Sequence, residues 1–186
     1  MKRALLPALM MLLLLCGCGG GAEERIEAQR DRWAEAETLR FTAELTEDLE
    51  TEVFQCVLCV EAGPEDTAFT VTAPAELAGL RAVLGPGKAT VSYGDTAMSL
   101  GAGLLERLGP AEAMAMLTEA LRHGHVVRAW QEQDGETRLL AAELYQSETL
   151  GWTVWYADET LHPVFASLRE EGRELLHCTI TDFQET

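Results

Sequence analysis

Cysteines, histidines and glycine-rich turns are the residues of this chain whose types and spacing could support chemistry. Cys56-Val57-Leu58-Cys59 has the C-x-x-C spacing of a dithiol pair or half a metal site. That chemistry wants both sulfurs on one side of a helix start. Here Phe54, Cys56, Leu58 and Val60 alternate as a strand does, and side chains three apart on a strand point to opposite faces. Buried, unpaired thiols at Cys56, Cys59 and Cys178 are therefore expected. A Cys56–Cys178 disulfide is the alternative, since both alternate with apolar residues and an exported chain meets oxidising conditions. Gly85-Pro86-Gly87-Lys88-Ala89-Thr90 hints at a phosphate loop. It has Ala82 where the first glycine belongs and Ala89 where the magnesium-binding hydroxyl belongs, so a hairpin turn is expected. His123-Gly124-His125, with His162 or His177 as a third ligand, lacks an acidic cluster at metal-ligand spacing. His123 suits the negative end of a helix dipole instead. No G-x-S-x-G is present, and Asp182 with His177 is merely compatible with a triad. Trp130, Trp152, Trp155 and Tyr156 read as core or cavity lining. No catalytic residue, metal site or cofactor is implied.

One further run carries chemistry, and it lies in the leader. Lys2 and Arg3 precede an apolar stretch from Leu5 to Leu15, which ends in Leu15-Cys16-Gly17-Cys18 and three glycines. The stretch has secretory h-region length and falls short of the roughly 20 apolar residues of a membrane span. Leu15-Cys16-Gly17-Cys18 resembles the lipobox of bacterial lipoproteins, with Leu three before the cysteine and a small residue just before it. The resemblance implies that Cys18 is acylated and becomes the new N-terminus. Leu15 is too large to precede an acylated Cys16, which reads as a discarded leader residue. Residues 1–17 are thus expected to be a signal peptide, 18–22 an acylated cysteine with a glycine tether, and 23–186 one folded domain.

The chain has 14 basic and 31 acidic residues, a net charge of −17. Loss of residues 1–17 removes Lys2 and Arg3 and leaves 12 against 31, or −19. Nucleic acid, which wants a basic stripe, is not an expected partner. Attachment to anionic headgroups needs a polybasic patch, so anchoring must be covalent, with the acyl chains acting together. The expected location is the extracytoplasmic face of the cell membrane.

The elements that would position any site follow from periodicity. A helix is expected over 22–38, with Ile26, Arg30, Trp33 and Glu37 on one face. Period-two alternation then begins: Phe41, Ala43 and Leu45; Phe54 to Val60; Phe69 to Ala73. Shorter strands are expected at 80–84, 89–93 and 97–100. Pro110 to His123 reads as a second helix, with Pro in the first turn, a Met114, Leu117 and Leu121 stripe, and Gly124 as a left-handed C-terminal residue. Strands resume at 126–131, 137–145, 151–156, 164–169 and 173–183, giving about eleven strands and two helices.

An N-terminal helix, a long meander, a helical insertion past mid-chain and a closing hairpin resemble the lipoprotein-localisation fold of the LolA and LolB family. The matching pieces are Phe41-Thr42-Ala43-Glu44-Leu45, Phe69 to Pro74, Val91 to Asp95, Leu161 to Val164 and Thr179 to Phe183. The resemblance implies an α+β half-barrel: one curved antiparallel sheet whose concave face, covered by helices, holds acyl chains without doing chemistry. Gly19 stands where that pattern has an acid after the acylated cysteine. Phe41, Leu45, Phe54, Leu58, Phe69, Val71, Trp152 and Val154 alternate with polar or smaller neighbours. They are expected to face the helices carrying Trp33 and Met114 and to line the ligand site. The expected function is a membrane-anchored, non-enzymatic lipoprotein that holds an apolar, acyl or lipid-like ligand. The alternative is a surface or sporulation lipoprotein that partners or regulates another exported protein.

Overall fold

The computed structural model describes residues 21–48, 53–101 and 109–186. The signal peptide and Cys18 lie outside the described residues. Helix α1 (Gly21–Glu35) precedes β1 (Leu39–Asp48), β2 (Val53–Ala62), β3 (Thr67–Ala73), β4 (Arg81–Gly85), β5 (Lys88–Tyr93) and β6 (Thr96–Gly101). Helix α2 (Pro110–His123) follows, then β7 (His125–Asp134), β8 (Thr137–Tyr145), β9 (Leu150–Ala157), β10 (Pro163–Glu170) and β11 (Arg173–Glu185). All eleven strands form one sheet in the order β6-β5-β4-β3-β2-β1-β11-β10-β9-β8-β7, with every neighbouring pair antiparallel. The chain runs outward from β1 to one edge, and α2 carries it across to the other, from which it returns to β1.

Strand turns fall where the sequence places them. Gly87, Gly94 and Gly135 hold positive φ in tight hairpins, and the β10–β11 turn places Glu171 at φ 50° and Gly172 at φ 85°, the pairing that matches strand twist. Alternation is strict on β2, where Cys56, Leu58, Val60 and Ala62 face inward. Helix α1 touches β7 and β8, α2 touches β1 to β4, and the two helices touch each other. From β4 to β7 is eight strand spacings, about 38 Å if flat, whereas two helices side by side span only about 20 Å. The sheet must therefore curl around them.

Two helix boundaries depart from expectation. Helix α1 ends at Glu35, three residues early, because Thr38 exchanges both backbone hydrogen bonds with Thr186 (3.1 and 3.0 Å) and is drawn toward the sheet. Gly124 is extended (φ −60°, ψ 145°) rather than left-handed, and its N–H donates to the Ala120 carbonyl. Glycine is required for space: an added Cβ would lie 2.7 Å from the Ala120 oxygen.

Candidate functional site

The concave face is built in rows across the sheet. One row reads Ala142–Val154–Ala166–Cys178–Leu45–Cys56, all 6% exposed or less. These are mostly small side chains, so the sheet floor is low there. A second row reads Leu144–Trp152–Leu168–Leu176–Glu47–Phe54. Toward the other strand ends, Trp33 of α1 packs against Tyr156 (ring centroids 6.1 Å) and Phe183 (5.3 Å), and Phe183 stacks on Phe41 (5.8 Å). Helix α1 buries only Ile26, Gln29 and Trp33, with Gln29 taking the place expected of Arg30. Helix α2 buries seven residues, among them Met114, Leu117 and Leu121.

The eight residues expected to line the face come together. Phe41, Leu45, Leu58, Phe69, Val71, Trp152 and Val154 are buried in one apolar cluster, with Phe54 half-buried against it. The cysteines separate: Cys56 and Cys178 are buried and free, while Cys59 is exposed on the convex face. The expectation of three buried thiols is thus corrected at Cys59, whose opposite pointing follows from the strand period. Cys56 and Cys178 flank Leu45 from either side, two strand spacings or about 10 Å apart, beyond disulfide reach. Burial pushes the Cys56 thiol up to about 11, with the Glu47 charge adding to the shift, and pushes Cys178 up to about 12. The aromatic group also divides. Trp152 and Tyr156 are inside, whereas Trp130 and Trp155 share Glu132 Oε2 as acceptor (3.3 and 2.8 Å) on the other face. A groove of about 430 Å³ also lies on that outer face, between Arg40, Thr42, Cys59, Thr70 and Arg81. His123 and His125 are exposed, and no metal-ligating cluster occurs among the described residues.

Three features of the face escaped sequence reading. Arg122, 4% exposed, donates to the carbonyls of Trp33 (2.7 Å), Ala36 (2.9 Å) and Ala62 (3.0 Å). It ties the end of α1 and the end of β2 to α2; desolvation lowers its pKa, and Glu119 opposes that shift. Glu47 sits in the apolar second row, and burial raises its pKa. Finally, Trp33 Nε1, Trp152 Nε1, Tyr156 Oη, Arg30 Nε and Arg122 Nε are enclosed without a hydrogen-bond partner among the described residues. Four of these can only donate, and the Tyr156 hydroxyl can do either. Burial raises the Tyr156 pKa, against the opposing charge of Arg30, so this hydroxyl remains protonated.

No family model and no curated protein sequence matches the chain. Solved structures do. An uncharacterized conserved protein from Thermus thermophilus is similar over 89% of this chain and 88% of that one, with a TM-score of 0.52 at 12% identity. A DUF1329 family protein from Desulfovibrio piger is similar over 87% and 90%, with a TM-score of 0.51 at 7% identity. A LolA superfamily protein from Nitrosomonas europaea is similar over 88% and 92%, with a TM-score of 0.46 at 14% identity. The chain shares its fold with the first two. At these identities the likeness is one of fold, and what the sheet of this chain binds must be argued from its own residues. No helix among the described residues is long and apolar enough to cross a membrane.

Proposed function

We propose that the protein is an extracytoplasmic lipoprotein, anchored through acylated Cys18, with a non-enzymatic role: it holds an apolar ligand bearing acceptor oxygens, such as an acyl chain with its carboxyl or ester group. The observation that carries this reading is the set of unpartnered donors on the concave face. A buried donor left without an acceptor costs about 1–3 kcal/mol. Trp33, Trp152 and Tyr156 present three such groups within an apolar cluster, and the row of alanines and cysteines keeps the floor low beside them. Hydrocarbon suits the walls and oxygen suits the donors.

Tyr156→Phe tests this without introducing a charge. The empty protein should gain stability, because an unpaired hydroxyl is removed. Binding of a fluorescent fatty acid should weaken, while binding of a plain hydrocarbon probe of similar length should not. The reading fails if the wild type binds neither probe, or if Tyr156→Phe leaves the preference for the fatty acid intact. Cys18→Ala should abolish palmitate incorporation and Cys16→Ala should not; label that survives Cys18→Ala sinks the anchor.

The closure of the face favours a second reading, in which the protein partners another exported protein. Seven of its eight expected lining residues are 6% exposed or less, so the protein's own side chains fill much of the concavity. Native mass spectrometry after gentle extraction separates the two readings: a lipid adds a small mass, and a protein partner brings a second, different chain.

A further inference from the structure

The sheet has two free edges, and they are built differently. Strand β7 carries Arg128, Glu132 and Asp134 and a register shift between Val126 and Arg128. It has an Arg128–Glu143 ion pair at 2.5 Å, and α1 lies against it. Charges, bulges and cover are the devices that keep an edge from pairing with another chain. Strand β6 has none of them among the described residues. Thr96–Gly101 contains no charged residue and no proline, and its pairing with β5 runs without a register shift.

The apolar face also runs out onto this edge. The cross-strand row Phe41–Val60–Phe69–Ala82–Val91–Met98 starts under the helices and ends in the open. Its first four members are 4% exposed or less, Val91 is half-buried, and Met98 is 60% exposed. Tyr93, beside it on β5, is 56% exposed. An apolar row that leaves the core and stops at an unguarded strand is unfinished on its outer side.

We propose that β6 is the docking edge for a second copy of this chain, paired antiparallel about a two-fold axis through Met98. This inference is independent of the ligand reading. In that register Met98 faces its own counterpart, and the apolar row continues through the axis. A chain of net charge −17 repels its own copies over most of its surface, but the six residues of β6 are uncharged. The flanking charges are complementary. Asp95, in the turn that starts β6, would lie opposite Gly101 of the second copy, whose β5 neighbour is Lys88. Lys88 is the only lysine outside the leader, and it stands one strand in from this edge. The Asp95–Lys88 juxtaposition occurs twice by symmetry, once on each side of the axis. A six-residue joint buries less than the roughly 800 Å² per partner of a standard interface, so the dimer should be one that dissociates on dilution.

The test uses the full-length protein in membranes, in a Cys59→Ser background. At a two-fold position the paired Cα atoms lie about 4.5–5.5 Å apart, within disulfide reach. Met98→Cys should therefore give a dimer band on mild oxidation. Val127→Cys, 55% exposed on the guarded edge, should stay monomeric. Met98→Asp, which sets like charges against each other at the axis, should remove the dimer seen for the wild type by native mass spectrometry. Crosslinking of Met98→Cys no stronger than that of Val127→Cys would overturn the proposal, as would its capture of a chain of another mass.

Discussion

Arg122→Met asks how firmly the helices are held on the sheet. The guanidinium is buried and donates to three main-chain carbonyls, those of Trp33, Ala36 and Ala62. Methionine keeps the apolar stem of the side chain and deletes all three bonds. The Trp33 carbonyl retains a weak bond from the Ala36 N–H at 3.3 Å, and Ala62 keeps its place in the β1–β2 ladder opposite Leu39, so the loss falls mainly on Ala36. One buried acceptor left unpaired costs about 1–3 kcal/mol, and the other two each lose a charge-assisted bond while keeping a backbone one. Relief of the desolvation that depresses the Arg122 pKa offsets part of this. A net destabilisation of about 2 kcal/mol follows, or about 4–8 °C in Tm for a domain of this size. Arg122→Lys, with one ammonium in place of a planar fork, should recover part of the loss. Thermal and urea unfolding followed by circular dichroism measure it. A loss below about 1 kcal/mol for Arg122→Met would refute the reasoning, because the carbonyls would then have found water or other donors. If the ligand enters by displacing a helix, Arg122→Lys should also bind the fatty-acid probe faster than the wild type.

Glu47 gives a pH signature. Its folded pKa is raised above the ordinary 4.5 by burial, so the fold favours the protonated form. Stability should fall as pH rises through and above the ordinary carboxyl range, and Glu47→Gln should be the more stable protein at pH 7 and flatten that slope. A thiol reagent should label Cys59 in the native protein and reach Cys56 and Cys178 only in denaturant; reducing agent should leave Tm unchanged, whereas a drop of several degrees would mean a structural bridge. Gly124→Ala should destabilise through contact with the Ala120 backbone, although its φ of −60° suits any residue. An unchanged melting curve would show that α2 can end differently.

What the sequence makes legible is what local periodicity controls. Alternation locates the strands because each has one face on the core, and the α2 boundaries follow from Pro110 and the apolar stripe. The inward set was readable for the same reason. The departures arise from particular contacts, some distant and some local, that an apolar period does not report. Helix α1 stops early because Thr38 meets Thr186, and Gly124 is small because Ala120 crowds it. Arg122 does carry a sequence signal. Met114, Thr118 and Arg122 recur every four residues along the buried side of α2, and an arginine on such a stripe must find acceptors inside. The unpartnered donors had no signal, since tryptophan and tyrosine read alike whether or not their polar ends are satisfied.

The two helices are unequal covers. Helix α2 places Ala113, Met114, Leu117, Ala120 and Leu121 against the sheet and α1, and at about 1.5–3 kcal/mol for each large side chain its burial is the greater. Helix α1 contributes essentially Ile26 and Trp33. Its remaining ties are polar: Arg25 to Asp158 at 2.7 Å, partly exposed on both sides, and buried Gln29 to exposed Glu185 at 3.1 Å. The exposed ion pair contributes about 0–1 kcal/mol, and a hydrogen bond to a carboxylate such as the second about 1.5–3 kcal/mol. Trp33 is also the residue that closes over Tyr156, and each of the two carries an unsatisfied polar atom. Lifting α1 therefore gives up the smaller apolar contact and frees both groups for an acceptor at once. Admission of a ligand should begin at α1, with Arg122, the strongest tie on its C-terminal end, setting how readily it lifts.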